Sequence, residues 1–96
     1  MSAGFFVFSS AGRDKGRCFV VMQESEEFYS LADGKLRRVE KPKKKKKKHT
    51  SATGEADDMI RGKLTEDAAY SGYGPVTNRE IKKAISKFLE GGSANG

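Results

Sequence analysis

Phe5-Phe6-Val7-Phe8-Ser9-Ser10-Ala11-Gly12-Arg13-Asp14-Lys15-Gly16-Arg17-Cys18-Phe19-Val20-Val21-Met22 (residues 5–22) holds two short apolar runs separated by a charged, glycine-bearing loop. Runs of four or five residues rich in Phe and Val, bounded by Gly and Ser, read as strands. Gly12 and Gly16 let the loop adopt conformations that other residues resist. Arg13, Lys15 and Arg17 recur at every second position within and after it.

Outward from this stretch the strand pattern continues. Phe28-Tyr29-Ser30-Leu31 reads as a third strand, Asp33-Gly34 as a two-residue hairpin turn with both central residues at positive φ, and Lys35 to Val39 as a fourth strand returning from it. Four short strands divided by turn signals predict a small barrel or a strongly curled sheet, because an open sheet this small would leave reactive edges.

Lys41-Pro42 precedes six consecutive lysines, Lys43, Lys44, Lys45, Lys46, Lys47 and Lys48. Like charges at this density repel, so residues 43–54 read as an extended, solvated linker. The C-terminal part reads as helix. Thr77-Asn78-Arg79-Glu80 fits a capping box. Ile81, Ala84, Ile85, Phe88 and Leu89 follow with the spacing of one apolar helix face, and Gly91 is a natural stop. A weaker helix is expected over 55–68, with Met59, Ile60 and Leu64 inward and Gly62 weighing against it. Ser71 to Pro75 reads as a turn. The expected layout is a barrel over 1–42, the linker, a helical extension over 55–90 and a disordered tail over 91–96: mainly β, α+β overall.

Composition narrows the function. The 96 residues carry a net charge of +6, unevenly placed: 13 Lys/Arg against 6 Asp/Glu in residues 1–50, and 6 against 7 thereafter. A basic half joined to a near-neutral half points to a polyanionic partner for the first. No stretch approaches the roughly 20 apolar residues that cross a bilayer. The N-terminal apolar run lacks a basic leader, so a cytoplasmic, non-membrane protein is expected. The single cysteine, Cys18, sits among apolar residues and reads as a small core side chain. One Cys and one His (His49) do not assemble a four-ligand zinc site. No nucleophile–base pair or phosphate-cradling loop is legible, so no catalytic residue, metal, cofactor or small-molecule substrate is assigned.

The Gly4 to Met22 stretch, with Ala11-Gly12-Arg13-Asp14-Lys15-Gly16-Arg17 at its centre, resembles a KOW motif, as found in large-subunit ribosomal proteins and NusG-type elongation factors. Ala32 to Lys45 and Val76 to Ile81 resemble small bacterial KOW-domain RNA-binding proteins related to archaeal and eukaryotic-type ribosomal proteins. A further glycine common in KOW motifs is replaced here by Phe19. The resemblance implies an SH3-like barrel of about five strands, the fifth not legible in the residues themselves. It also implies RNA, foremost ribosomal RNA, as partner.

Candidate RNA-binding residues are Arg13, Lys15, Arg17, Arg37, Arg38, Lys41 and Lys43 to Lys48, with Gly12 and Gly16 shaping the loop. Arg37 and Arg38 would point to opposite faces of the fourth strand. The bland reading of the loop is a solvated surface, and the lysine run alone would also suit a nuclear localisation signal or anionic lipid. The aromatics Phe5, Phe6, Phe8, Phe28 and Tyr29 suit a core better than base stacking, Tyr29 being the best candidate for exposure. An alternative function is a protein-interaction module that binds ribosomal or transcription proteins.

Overall fold

The computed structural model describes residues 2–65 and 75–94. Five strands form one antiparallel sheet: β1 (Phe5–Ser9), β2 (Cys18–Glu24), β3 (Phe28–Ala32), β4 (Lys43–Lys46) and β5 (Thr50–Ala56), in the spatial order β4-β3-β2-β1-β5. Two helices follow, α1 (Asp58–Thr65) and α2 (Asn78–Ala94).

The connectivity forces the sheet to curl. β4 and β5 are its two edges, yet only a 3-10 turn, Lys47–His49, joins them. Across a flat sheet the edges would lie about 19 Å apart, at ~4.8 Å per strand. Four residue steps reach at most about 14 Å. Two register irregularities assist the bend. One lies between Val21 and Gln23 opposite β3, the other between Phe5 and Val7 opposite β5. Extra residues in one strand of a pair sharpen the local twist. In the second, Gly54 takes φ +77° and the Thr53 hydroxyl donates to the Phe6 carbonyl at 2.8 Å.

The apolar runs of β1 and β2 lack polar alternation because both faces of the sheet are covered. Val7, Phe19, Val21 and Leu31 form one buried cluster, with Tyr29 packed against it. Phe6, Cys18 and Val20 point the other way and meet Ile60 of α1 together with Val76, Ile81 and Ala84 at and in α2. Phe6 stacks on Phe88 with ring centroids 4.4 Å apart. Cys18 is a buried member of this core, and burial pushes its thiol up to about 11, so it stays neutral. Of the aromatic strand residues named for the core, Phe6 is buried and Phe8 and Tyr29 pack against the clusters, whereas Phe5 and Phe28 are half-buried outside both, beneath Arg61 and Lys44. Tyr29 is half-buried, its ring under the Lys47 ammonium at 5.3 Å.

The capping box forms as its sequence demands: Glu80 N–H donates to the Thr77 hydroxyl at 3.2 Å, and Thr77 N–H donates to Glu80 at 2.9 Å. Ile81 and Ala84 are buried, whereas Leu89 is exposed. α1 starts later than the expected helix over 55–68, because residues 55 and 56 belong to β5. Asp57 caps α1 instead, accepting from Ile60 N–H at 3.0 Å. Of its expected inward residues, Ile60 is fully buried while Met59 is exposed. No Cβ at Gly62 would meet an atom within 4 Å. Gly62→Ala is therefore expected to stabilise the fold by about 0.5–1 kcal/mol, read as a raised denaturant midpoint at unchanged slope.

Four expectations are corrected. Residues 35–39 are not a strand. The Asp33 carboxylate accepts from Lys35 N–H (2.9 Å) and Arg37 N–H (2.8 Å), and such side-chain bonds outcompete a ladder. Nor is Asp33-Gly34 a hairpin with two positive φ values; only Gly34 has one, at +81°. Residues 43–54 are not a solvated linker but β4, the 3-10 turn and most of β5. The helical segment does not stop at Gly91, for α2 runs on to Ala94. The rest of the weaker helix beyond Thr65, and most of the turn at Ser71 to Pro75, lie outside the described residues.

Candidate nucleic-acid interface

The β1–β2 loop is an ordered turn. Lys15 N–H donates to Gly12 O (3.2 Å), Arg17 N–H to Asp14 O (2.9 Å) and Gly16 N–H to Ser9 O (2.8 Å). Gly12 and Gly16 hold φ of +78° and +87°, as their loop-shaping role requires. This geometry lifts Arg13 and Lys15 into solvent. Both are exposed and have no ion-pair partner among the described residues.

The other predicted cations divide into two groups. Arg17, Arg37 and Lys43 come from three separate chain segments and gather about two nearly buried carboxylates. Arg17 pairs with Asp33 at 2.7 Å. Lys43 and Arg37 approach the same oxygen of Asp14 at 3.2 and 3.6 Å. Burial would raise the Asp14 pKa. The close Lys43 ammonium and the charges of Arg37 and Arg17 outweigh that and hold it below its ordinary value. Arg17 is thus half-buried and neutralised locally, unlike Arg13 and Lys15. Arg37 and Arg38 share no strand, and Arg38 pairs with Glu40 at 3.2 Å instead.

The second group is the lysine strand. Side chains alternate along a strand, so Lys43 and Lys45 share one side and Lys44 and Lys46 the other. Lys45 reaches across to the loop and donates to Ala11 O at 3.0 Å. Lys44 lies over the Phe28 ring, 4.8 Å from its centroid, a cation–π contact that covers apolar surface with charge. Lys47 donates to Glu24 at 2.8 Å, which raises its own pKa and lowers that of Glu24. Lys41, Lys46 and Lys48 are exposed without an ion pair among the described residues.

The curl of the sheet brings loop and lysine strand together. Residues 1–50 carry 13 Lys/Arg against 6 Asp/Glu, four of those acids (Asp14, Asp33, Glu24 and Glu40) being paired with candidate cations, so seven positive charges remain in excess on this part of the molecule. Such an array suits a polyanion, whose phosphates exchange condensed counterions for fixed cations. The organising role of Asp14 and Asp33 was missed in the sequence. Its only trace is two isolated carboxylates within the most basic stretch. Exposed Leu36 stands beside this array at 68 % exposure, an apolar tip where a strand residue was expected. No group of three or more His, Cys, Asp or Glu is placed to hold a metal among the described residues. No helix among them is long and apolar enough to cross a membrane. No family model matches the sequence, and no curated protein is significantly similar to it.

Proposed function

We propose that this protein is an RNA-binding module of the KOW type, its curled sheet an SH3-like barrel, and that it associates with ribosomal RNA. The observation that carries the reading is the meeting of the exposed Arg13 and Lys15 with the lysine strand. Lys45 of that strand is hydrogen-bonded to the loop itself at Ala11. Two cationic elements far apart in sequence then offer one ligand a continuous path of charge. Phosphate contacts of this kind position a module on folded RNA and read its shape more than its sequence. The three-residue joint between the edge strands and the five-strand order support the barrel.

The test is binding to a labelled RNA stem–loop by fluorescence anisotropy, titrated from about 50 to 200 mM salt. Arg13→Ala and Lys15→Ala are each expected to weaken binding severalfold. Each should also flatten the log affinity against log salt slope by about one. Tract variants should be Lys44→Gln, Lys46→Gln and Lys48→Gln and not a deletion, since deleting 43–48 would remove an edge strand. Co-sedimentation with ribosomes that survives a low-salt wash and fails in high salt extends the test to ribosomal RNA. Salt-insensitive capture of a protein without any RNA shift would overturn the reading.

A further inference from the structure

We propose that Asp14 and Asp33 are positioning residues for RNA: two carboxylates beneath the surface that pin Arg17, Arg37 and Lys43 into one ordered cluster behind the exposed loop. The inference rests on the RNA reading and deepens it by naming what orders the interface. A protein that binds a polyanion gains nothing from surface acids, which repel phosphate. These two are not surface acids; each is only 7 % exposed. Their charge is spent on cations of their own chain. Arg17 follows the β1–β2 loop, Arg37 lies between β3 and β4, and Lys43 opens β4. No backbone ladder joins these three positions directly. The shared carboxylates do. Asp33 also accepts the backbone N–H groups of Lys35 and Arg37, so one side chain fixes both the turn and the arginine that leaves it.

The ion pairs are not saturated. Asp14 Oδ2 has two cations within 4 Å but no well-aligned hydrogen bond, and Arg37 Nε is buried without a partner. The guanidinium is held by charge at 3.6 Å and not by a bidentate fork. Its side chain is 38 % exposed, so the guanidinium keeps Nη donors that a second acceptor can reach, although Nε is not among them. A phosphate oxygen arriving at the loop is the acceptor its geometry suits. Because the cations are already ordered, less side-chain freedom is lost when RNA arrives.

The arrangement makes a prediction of unusual sign. Asp14→Asn raises the net charge from +6 to +7, so charge alone would tighten RNA binding at every salt concentration. Positioning predicts the reverse, about tenfold weaker binding to the stem–loop, as Lys43 and Arg37 repel each other into solvent. Asp14→Glu should recover most of the loss. Arg37→Ala, expected to weaken binding by the wild-type chain, should have little further effect in the Asp14→Asn background; a merely structural role for Asp14 would leave the two effects additive. Should Asp14→Asn fail to fold by circular dichroism, Asp33→Asn replaces it. The amide oxygen still accepts from Lys35 and Arg37, Arg17 loses its acceptor and its countercharge, and the same weakening is expected. Tighter binding by either folded variant, or additive effects with Arg37→Ala, overturns the positioning role and leaves RNA binding intact. Failure of the wild-type chain to shift the stem–loop takes down both.

Discussion

Gly34→Ala is expected to destabilise the fold by about 3–5 kcal/mol, seen as a fall in thermal midpoint and early loss of α2 protection in hydrogen exchange. Gly34 stands at φ +81°, where an L side chain costs roughly 1–2 kcal/mol. A Cβ there would also strike the Asn78 carbonyl oxygen, inside van der Waals contact, and the Lys82 side chain at 2.8 Å. The first obstacle is backbone, held by helix geometry, so it cannot swing aside. Overpacking of this kind adds about 1–3 kcal/mol or more. Natural domains have roughly 5–15 kcal/mol in all, so the expected loss is a large share. Gly16 is the internal control. It has similar φ, +87°, but open space around its Cβ position. Gly16→Ala should cost only about 1–2 kcal/mol, the backbone term alone. Equal losses at the two sites would rule out the close approach of α2 to Gly34.

Glu80→Ala should cost about 3–4 kcal/mol, and Lys63→Met much less, each measured by urea denaturation. Lys63 Nζ donates to the Glu80 carboxylate at 2.6 Å, and the lysine side chain is only 7 % exposed. Removing the acid leaves a desolvated ammonium without its partner, and breaking a buried pair typically costs about 3–5 kcal/mol. The carboxylate is a quarter exposed, which lowers that figure, while the lost capping box adds about 1 kcal/mol. Replacing the lysine by Met instead removes the charge that needs a partner and keeps the volume. The Lys63 hydrogen bond, then the Thr77 N–H, depress the Glu80 pKa below its ordinary 4.5. A carboxylate depressed on folding stabilises above its unfolded pKa and loses that contribution as pH falls through the folded value. Wild-type stability should therefore decline below about pH 4.5, and Glu80→Ala should remove part of that decline.

The first three strands and the second helix were legible because local pattern and tertiary demand agree there. Phe5 to Phe8 and Cys18 to Met22 are apolar enough to form strands anywhere, and Thr77 with Glu80 fixes a helix start by local bonds alone. The fourth and fifth strands were not legible. Lys43 to Lys46 has no apolar alternation, no β-branched residue and every reason to repel itself. It becomes a strand because β3 presents an unpaired edge and because Asp14, Ala11 O and the Phe28 ring each receive one of its ammonium groups. Thr50 to Ala56 carries small polar residues and a glycine, and pairs with β1 only because the 3-10 turn delivers it there. Lys35 to Val39 failed the other way. Its local pattern suited a strand, but the buried Asp33 took its backbone donors. At the interface, sequence identified which residues are cationic. It could not identify which of them are free, since pairing of Arg17 with Asp33 and of Lys43 with Asp14 is a property of the folded chain.

The lysine strand has one more consequence. Its four side chains are identical, so nothing in β4 itself distinguishes one alignment along β3 from the alignment two residues away. The address must be written in its neighbours, in Pro42 ahead of it and in the turn at Lys47–His49 behind. A chain with two lysines more or fewer would still offer lysine at every paired position, and only the flanking loops would have to absorb the change.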